Sequence, residues 1–124
     1  MIVYDTGVLV AADRGDRTTL ARHAAALRRD ISPYVPAGVL AQAWRGGPQP
    51  GLSRLLAGCT PVPMDARTAR AAGTLCGRAG TTDVVDASVV VTAALLRSAV
   101  LTGDVEDITR LAALLDPPPP VDAM

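Results

Sequence analysis

The chain has 124 residues, 49% of them hydrophobic, with 12 cationic and 12 anionic side chains in formal balance. That length suits a single domain spanning residues 1–124, with a real core if both faces of a sheet are covered; zero net charge argues against a bulk electrostatic attraction to nucleic acid. Every cation is Arg and every anion except Glu106 is Asp, which excludes Schiff-base and P-loop chemistry for want of a lysine.

No uncharged apolar run approaches the roughly 18 residues that span a bilayer. The first ten residues, MIVYDTGVLV, contain Asp5 and show neither a basic n-region nor a small-residue cleavage site, so a cytoplasmic location without membrane attachment is expected. Cys59 and Cys76 are too few and too far apart for a zinc motif and are read as reduced thiols without a role.

MIVYD reads as a short apolar strand ending at Asp5, and TGVLVAAD as a short helix. DRTTLARHAAALRRD carries Leu20, Ala24 and Leu27 on one face and Arg on the other, a surface helix that leaves His23 outside. PYVPAGV gives a short extended piece broken by prolines, AGVLAQAWRGG a helix ended by Gly46 and Gly47, and PGLSRLLAG a helix ended by Gly58. CTPVPM is a brief strand; DARTARAAGTLCGRAG is a helix capped by Asp65 and closed by Gly77 or Gly80. TTDVVDASVVVTAALLR is an apolar helix opened by Thr82 as N-cap, SAVLTGD a buried strand ending at Asp104, and VEDITRLAALL the last helix. A stiff polyproline run then precedes a short edge strand expected in VDAM.

Strands alternating with helices imply an α/β fold in three layers, α/β/α, with a central, mainly parallel sheet of about four to five short strands. Sheets of this kind bind ligands outside the carboxyl ends of their strands. Asp5 and Asp104 stand at such ends, and Asp86 lies in the first turns of the helix feeding the strand before Asp104, so these three acids are expected to converge on one rim. Asp83 lies three residues before Asp86 on the same helix face, where the helix dipole alone would account for it; Asp107 is equally explained at the start of the last helix. A group of carboxylates without a paired cation raises its own pKa values unless a cation is bound, and oxygen donors suit Mg²⁺ or Mn²⁺. Such an ion activates a water and stabilises charge on a phosphodiester.

VYDTGVLV, VPAGVLAQAWRGG, TTDVVDASVV and VLTGDVEDITRLA, in this order and spacing, resemble the PIN-domain family and are most similar to VapC-type ribonuclease toxins of bacterial toxin–antitoxin pairs. The resemblance covers nearly the whole chain. It implies a PIN-like fold and Mg²⁺- or Mn²⁺-dependent endoribonucleolytic hydrolysis of structured RNA. It also implies a homodimer and a cognate antitoxin whose tail lies across the active-site groove. By the same resemblance Asp5, Asp86 and Asp104 are the metal-binding aspartates, with Asp83 and Asp107 as neighbours, and Thr6 and Thr102 are the small polar residues that accompany the first and last of them.

One position departs from the family pattern: Gln42 stands where a Glu is expected. A neutral amide accepts hydrogen bonds but brings no charge, which leaves two readings, a ribonuclease with weakened metal binding and an inactive protein that binds antitoxin or RNA without cleaving it. A phosphoryl-accepting regulator would need a lysine and a second acid after Asp5, and the chain has neither there. Arg45, with Arg14 and Arg17, is the candidate for contacting RNA phosphates, and Trp44, Leu52 and Leu56 for receiving an apolar antitoxin segment.

Overall fold

The computed structural model describes residues 1–124. In chain order the elements are β1 (Ile2–Tyr4), α1 (Thr6–Asp13), α2 (Arg17–Arg28), β2 (Tyr34–Pro36), α3 (Ala37–Ala43), α4 (Pro50–Ala57), β3 (Thr60–Val62), α5 (Ala66–Ala79), α6 (Val84–Leu95), β4 (Ala99–Thr102), α7 (Val105–Ala112) and β5 (Val121–Ala123). The five strands form one wholly parallel sheet in the order β3-β2-β1-β4-β5. From β1 the chain winds outward to β3, then crosses back to lay β4 on the other side of β1. Right-handed crossovers in opposite directions place their helices on opposite faces of the sheet. Accordingly α1 packs on β1 and β4 among α2, α3 and α4, whereas α6 packs on β1, β2 and β4 between α5 and α7.

The reversal of winding falls between β1 and β4, and in open α/β sheets the crevice at that point is the usual ligand site. Register makes this crevice specific: Tyr4 pairs with Leu101, so Asp5 and Thr102 follow side by side at the carboxyl ends.

Burial explains the composition of the strands and of α6. With helices on both faces, strand residues are apolar without alternation: Val3, Tyr4, Val35, Val100 and Leu101 are all buried. Every residue of α6 from Ala87 to Ala93 is buried, which is why this helix reads as apolar all round. With no Phe in the chain, the core is filled by Val, Leu, Ile and Ala, including Leu9, Leu55, Leu75 and Ile108.

Five of the seven helices begin on an aspartate: Asp5, Asp16, Asp65, Asp83 and Asp104 are the N-caps of α1, α2, α5, α6 and α7, and each side chain accepts a hydrogen bond from a first-turn amide. Glu is a poorer N-cap because the favoured caps are short side chains that bend back onto their own helix. Capping therefore accounts for much of the excess of Asp over Glu.

Several sequence expectations are corrected. Asp83, not Thr82, is the N-cap of α6. α5 is closed by Gly80, in the left-handed conformation at φ 72°, with Gly77 inside the helix. α3 stops at Ala43, before Gly46 and Gly47, and Trp44 is extended. The inward residues of α2 are Thr19 and His23, while Leu27 is exposed. His23 is buried because its Nδ1 pairs with the Tyr4 hydroxyl at 2.9 Å, so the polar ring and not the leucine seats this helix on β1. Burial holds the His23 pKa below its ordinary value.

Candidate metal centre

Three capped helix N-termini, those of α1, α6 and α7, meet around Asp86. Asp83 caps α6 by accepting from the Asp86 amide at 3.0 Å, which places Asp86 in the first turn with its side chain half-buried. Asp104 caps α7 by accepting from the Asp107 amide at 3.5 Å. The carboxylates of Asp86, Asp104 and Asp107 each offer an oxygen such that all three lie within 4.8 Å of one another.

Asp5 sits behind this group, buried, with both oxygens engaged. Oδ1 accepts from the Thr6 amide at 2.7 Å, and Oδ2 from the Thr102 hydroxyl, also at 2.7 Å. The Thr102 hydroxyl in turn accepts from the Asp104 amide at 2.8 Å. Thr102 thus couples the acid after β1 to the cap of α7, which fixes Asp104 relative to Asp5.

The electrostatics follow from this crowding. The Asp86 carboxyl is pushed up to about 7, first by burial, then by the charge of Asp5, the charge of Asp83 and a hydrogen bond with it, and the charge of Asp104. Such a rise marks a carboxylate cluster short of positive charge. The positive ends of three helices offset part of the repulsion. A cleft of about 100 Å³ opens beside the cluster, lined by Ala79, Thr81, Asp83, Asp86, Asp107, Arg110 and Leu111. Its sole cation, Arg110, pairs with Asp107 at 3.5 Å.

Gln42 joins the site from the last turn of α3. Its Oε1 accepts from the Thr6 hydroxyl at 2.6 Å, so the position where the resemblance expects a Glu is held next to Asp5 and carries a neutral amide. The donor set around Asp86 is all oxygen and excess anionic, with no thiolate or imidazole, and therefore fits a hard divalent cation such as Mg²⁺ or Mn²⁺.

Asp5, Asp86 and Asp104 were expected from sequence to share one rim, with Asp107 as a neighbour. In the structure Asp5 is hydrogen-bonded behind Asp86 and Asp104, and the carboxylate that groups with those two is Asp107. Its signal was the spacing of Asp104 and Asp107, which is the spacing of Asp83 and Asp86: in both pairs a capping acid is followed three residues later by an acid in the first turn. Arg110, far along the chain from the arginines singled out in sequence, was missed because the folding of α7 against α6 decides what faces the cleft.

The expected phosphate contacts are placed elsewhere. The Arg45 guanidinium folds back onto its own helix end, donating to the carbonyls of Trp44 at 2.7 Å and Ala41 at 3.4 Å. Arg14 is the C-cap of α1, about 13.5 Å along the helix from Asp5 at 1.5 Å per residue, and Arg17 begins α2 beyond it. Of the apolar trio, Trp44 is exposed and Leu56 partly so, but Leu52 is fully buried, clamped in the core between α4 and α1, and offers no surface to a partner.

By sequence the chain matches no protein-family model and no curated protein. By structure it is similar to a chain of VapBC2 from Rickettsia felis, determined bound to a DNA fragment from their promoter: the TM-score is 0.74 at 15% identity, over 100% of this chain and 99% of the other. It is also similar to a chain of FitAB bound to an IR36 DNA fragment, with a TM-score of 0.65 at 19% identity over 99% and 94% of the two chains. The likeness is one of fold, and that fold is the PIN-like α/β/α domain which the sequence motifs resemble.

Proposed function

We propose that this chain is a Mg²⁺- or Mn²⁺-dependent endoribonuclease, acting as the toxin of a toxin–antitoxin pair. The observation that carries the reading is the all-oxygen cluster of Asp86, Asp104 and Asp107 at the β1–β4 crevice, with Asp5 behind it. These carboxylates would hold the cation, which when bound supplies the positive charge for activating water and for offsetting charge on the phosphodiester. The protein's part is to hold the oxygens in place. Thr102 and the Thr6 amide fix Asp5, Asp83 fixes the start of α6, and the α7 cap fixes Asp107.

The resemblance to VapC-type toxins, with the fold likeness to chains of VapBC2 and FitAB, supports an antitoxin partner, a homodimer and a structured RNA substrate. Exposed Trp44 and partly exposed Leu56 are the apolar surface an antitoxin segment would cover. No helix is long and apolar enough to cross a membrane, in keeping with action in the cytoplasm.

Gln42 favours one rival, a protein of the same fold that binds RNA or antitoxin without cleaving. Incubating total bacterial RNA with the protein and Mg²⁺ or Mn²⁺, beside EDTA and Asp86→Asn controls, separates the two. Discrete metal-dependent products, lost in the variant, are expected. RNA left intact at all metal concentrations would overturn the nuclease reading and leave the binder.

A further inference from the structure

The acidic cleft has to receive a substrate of its own sign, because each phosphodiester carries a negative charge and Asp83, Asp86 and Asp107 line the approach. A cation held by the carboxylates would offset this at the reacting phosphate, but the next phosphate along the strand meets only protein. We propose that Arg110 is a substrate-positioning residue whose guanidinium binds a neighbouring RNA phosphate at the mouth of the cleft. The inference rests on the nuclease reading above.

Its geometry comes from α7. Burial of Ile108, Leu111 and Ala112 fixes how this helix is rolled against the core, which leaves Asp107 and Arg110 together on the outer face. Helical side chains lean toward the N-terminus, so Arg110 lies back over Asp107 and toward the rim, with Nη1 3.5 Å from Oδ1. That separation exceeds the roughly 2.7–2.9 Å of a strong charge-assisted hydrogen bond. The side chain is 69% exposed and this pair is its sole polar contact. Of the five N–H donors of a guanidinium, at least one full edge is therefore open to a phosphate, in the planar geometry that such pairing favours.

Three other arginines are committed or distant. Arg45 is turned onto the end of α3, Arg14 lies at the far end of α1, and Arg22 donates to the Ala123 carbonyl. Arg110 and a metal ion also share a partner, since Asp107 is both the arginine's counter-ion and one of the three clustered carboxylates. A phosphate contact and a metal ligand contribution are thus separable, because removing Arg110 acts on them in opposite directions.

The test uses wild type, Arg110→Ala and Arg110→Lys with a fluorescein-labelled single-stranded RNA of mixed sequence. Binding is followed by anisotropy in Ca²⁺ across a range of KCl, gels confirm that the RNA stays intact, and Mn²⁺ affinity is measured without RNA by electron paramagnetic resonance. Arg110→Ala is expected to bind RNA several-fold more weakly at low salt, with the slope of log affinity on log salt reduced by about 0.7, the value for one phosphate contact on a single strand. Arg110→Lys restores the slope, and Mn²⁺ affinity in Arg110→Ala is undiminished. An unchanged salt slope with wild-type RNA affinity overturns the inference alone, as does a parallel loss of Mn²⁺ affinity, which would show that Arg110 acts through the carboxylates. Wild type that binds no RNA in any metal overturns the nuclease reading itself and this inference with it.

Discussion

The Thr102 hydroxyl donates to Oδ2 of Asp5 at 2.7 Å, joining residues 97 positions apart in sequence across the β1–β4 boundary. Both side chains are buried, so the bond has no water to replace it. Thr102→Val keeps the shape but deletes the donor to Asp5 and the acceptor for the Asp104 amide. Leaving buried polar groups unsatisfied costs about 1–3 kcal/mol, which for a domain of this size lowers Tm by several degrees. Calorimetry that finds an unchanged Tm would show the hydroxyl to be dispensable.

Asp86 should make stability fall as pH rises. Its folded pKa of about 7 exceeds the ordinary 3.8, so between those values the folded state binds more protons than the unfolded one and loses stability with increasing pH. Asp86→Asn should flatten this slope and raise Tm at pH 8. Added Mn²⁺ should raise Tm at pH 8 in wild type far more than in the variant. A melting curve equally steep in pH for both proteins would contradict the assignment.

Gln42 holds its place through the Thr6 hydroxyl, and Glu fits the same space with one more negative charge. On the proposed function, Gln42→Glu should tighten Mn²⁺ binding and speed metal-dependent RNA cleavage, since the added carboxylate joins an all-oxygen, anionic donor set. Isothermal titration and a cleavage assay read the two effects. Equal affinity and rate in both proteins would mean that the amide is no handicap.

Gly51 allows α4 to cross α1 at backbone contact, where an added Cβ would overlap the Ala12 carbonyl oxygen. Gly51→Ala must push two packed helices apart and should cost about 1–3 kcal/mol. Its denaturation midpoint should fall with the m-value unchanged. Wild-type stability would show that α4 can shift freely, against the burial of Leu52 and Leu55 beside it.

The layered α/β architecture was legible because parallel strands and the apolar α6 carry their burial in their composition. So was the rim, since Asp5 and Asp104 end strands that pair with each other, and a strand's end is visible in sequence. Asp107 was undervalued because a first-turn acid is already explained by its helix; only the approach of α7 to α6 shows that it meets Asp86. His23 and Leu27 were exchanged for a related reason. Periodicity ranks a leucine inward, whereas the Tyr4 hydroxyl gives a histidine a buried partner 19 residues away. Leu52 and Arg45 illustrate the same limit, since proximity in sequence to Trp44 says nothing about which of them the fold turns outward.

The strand order has a further consequence during synthesis. β4, which lies beside β1 in the sheet, follows β2 and β3 in the chain, and Asp86, Asp104 and Asp107 all lie in the last third of the chain. A nascent polypeptide that has emerged only through β3 carries Asp5, Thr6 and Gln42 but none of Asp86, Asp104 and Asp107. Three of the carboxylates of the acidic site are therefore missing from any chain that ends before α6.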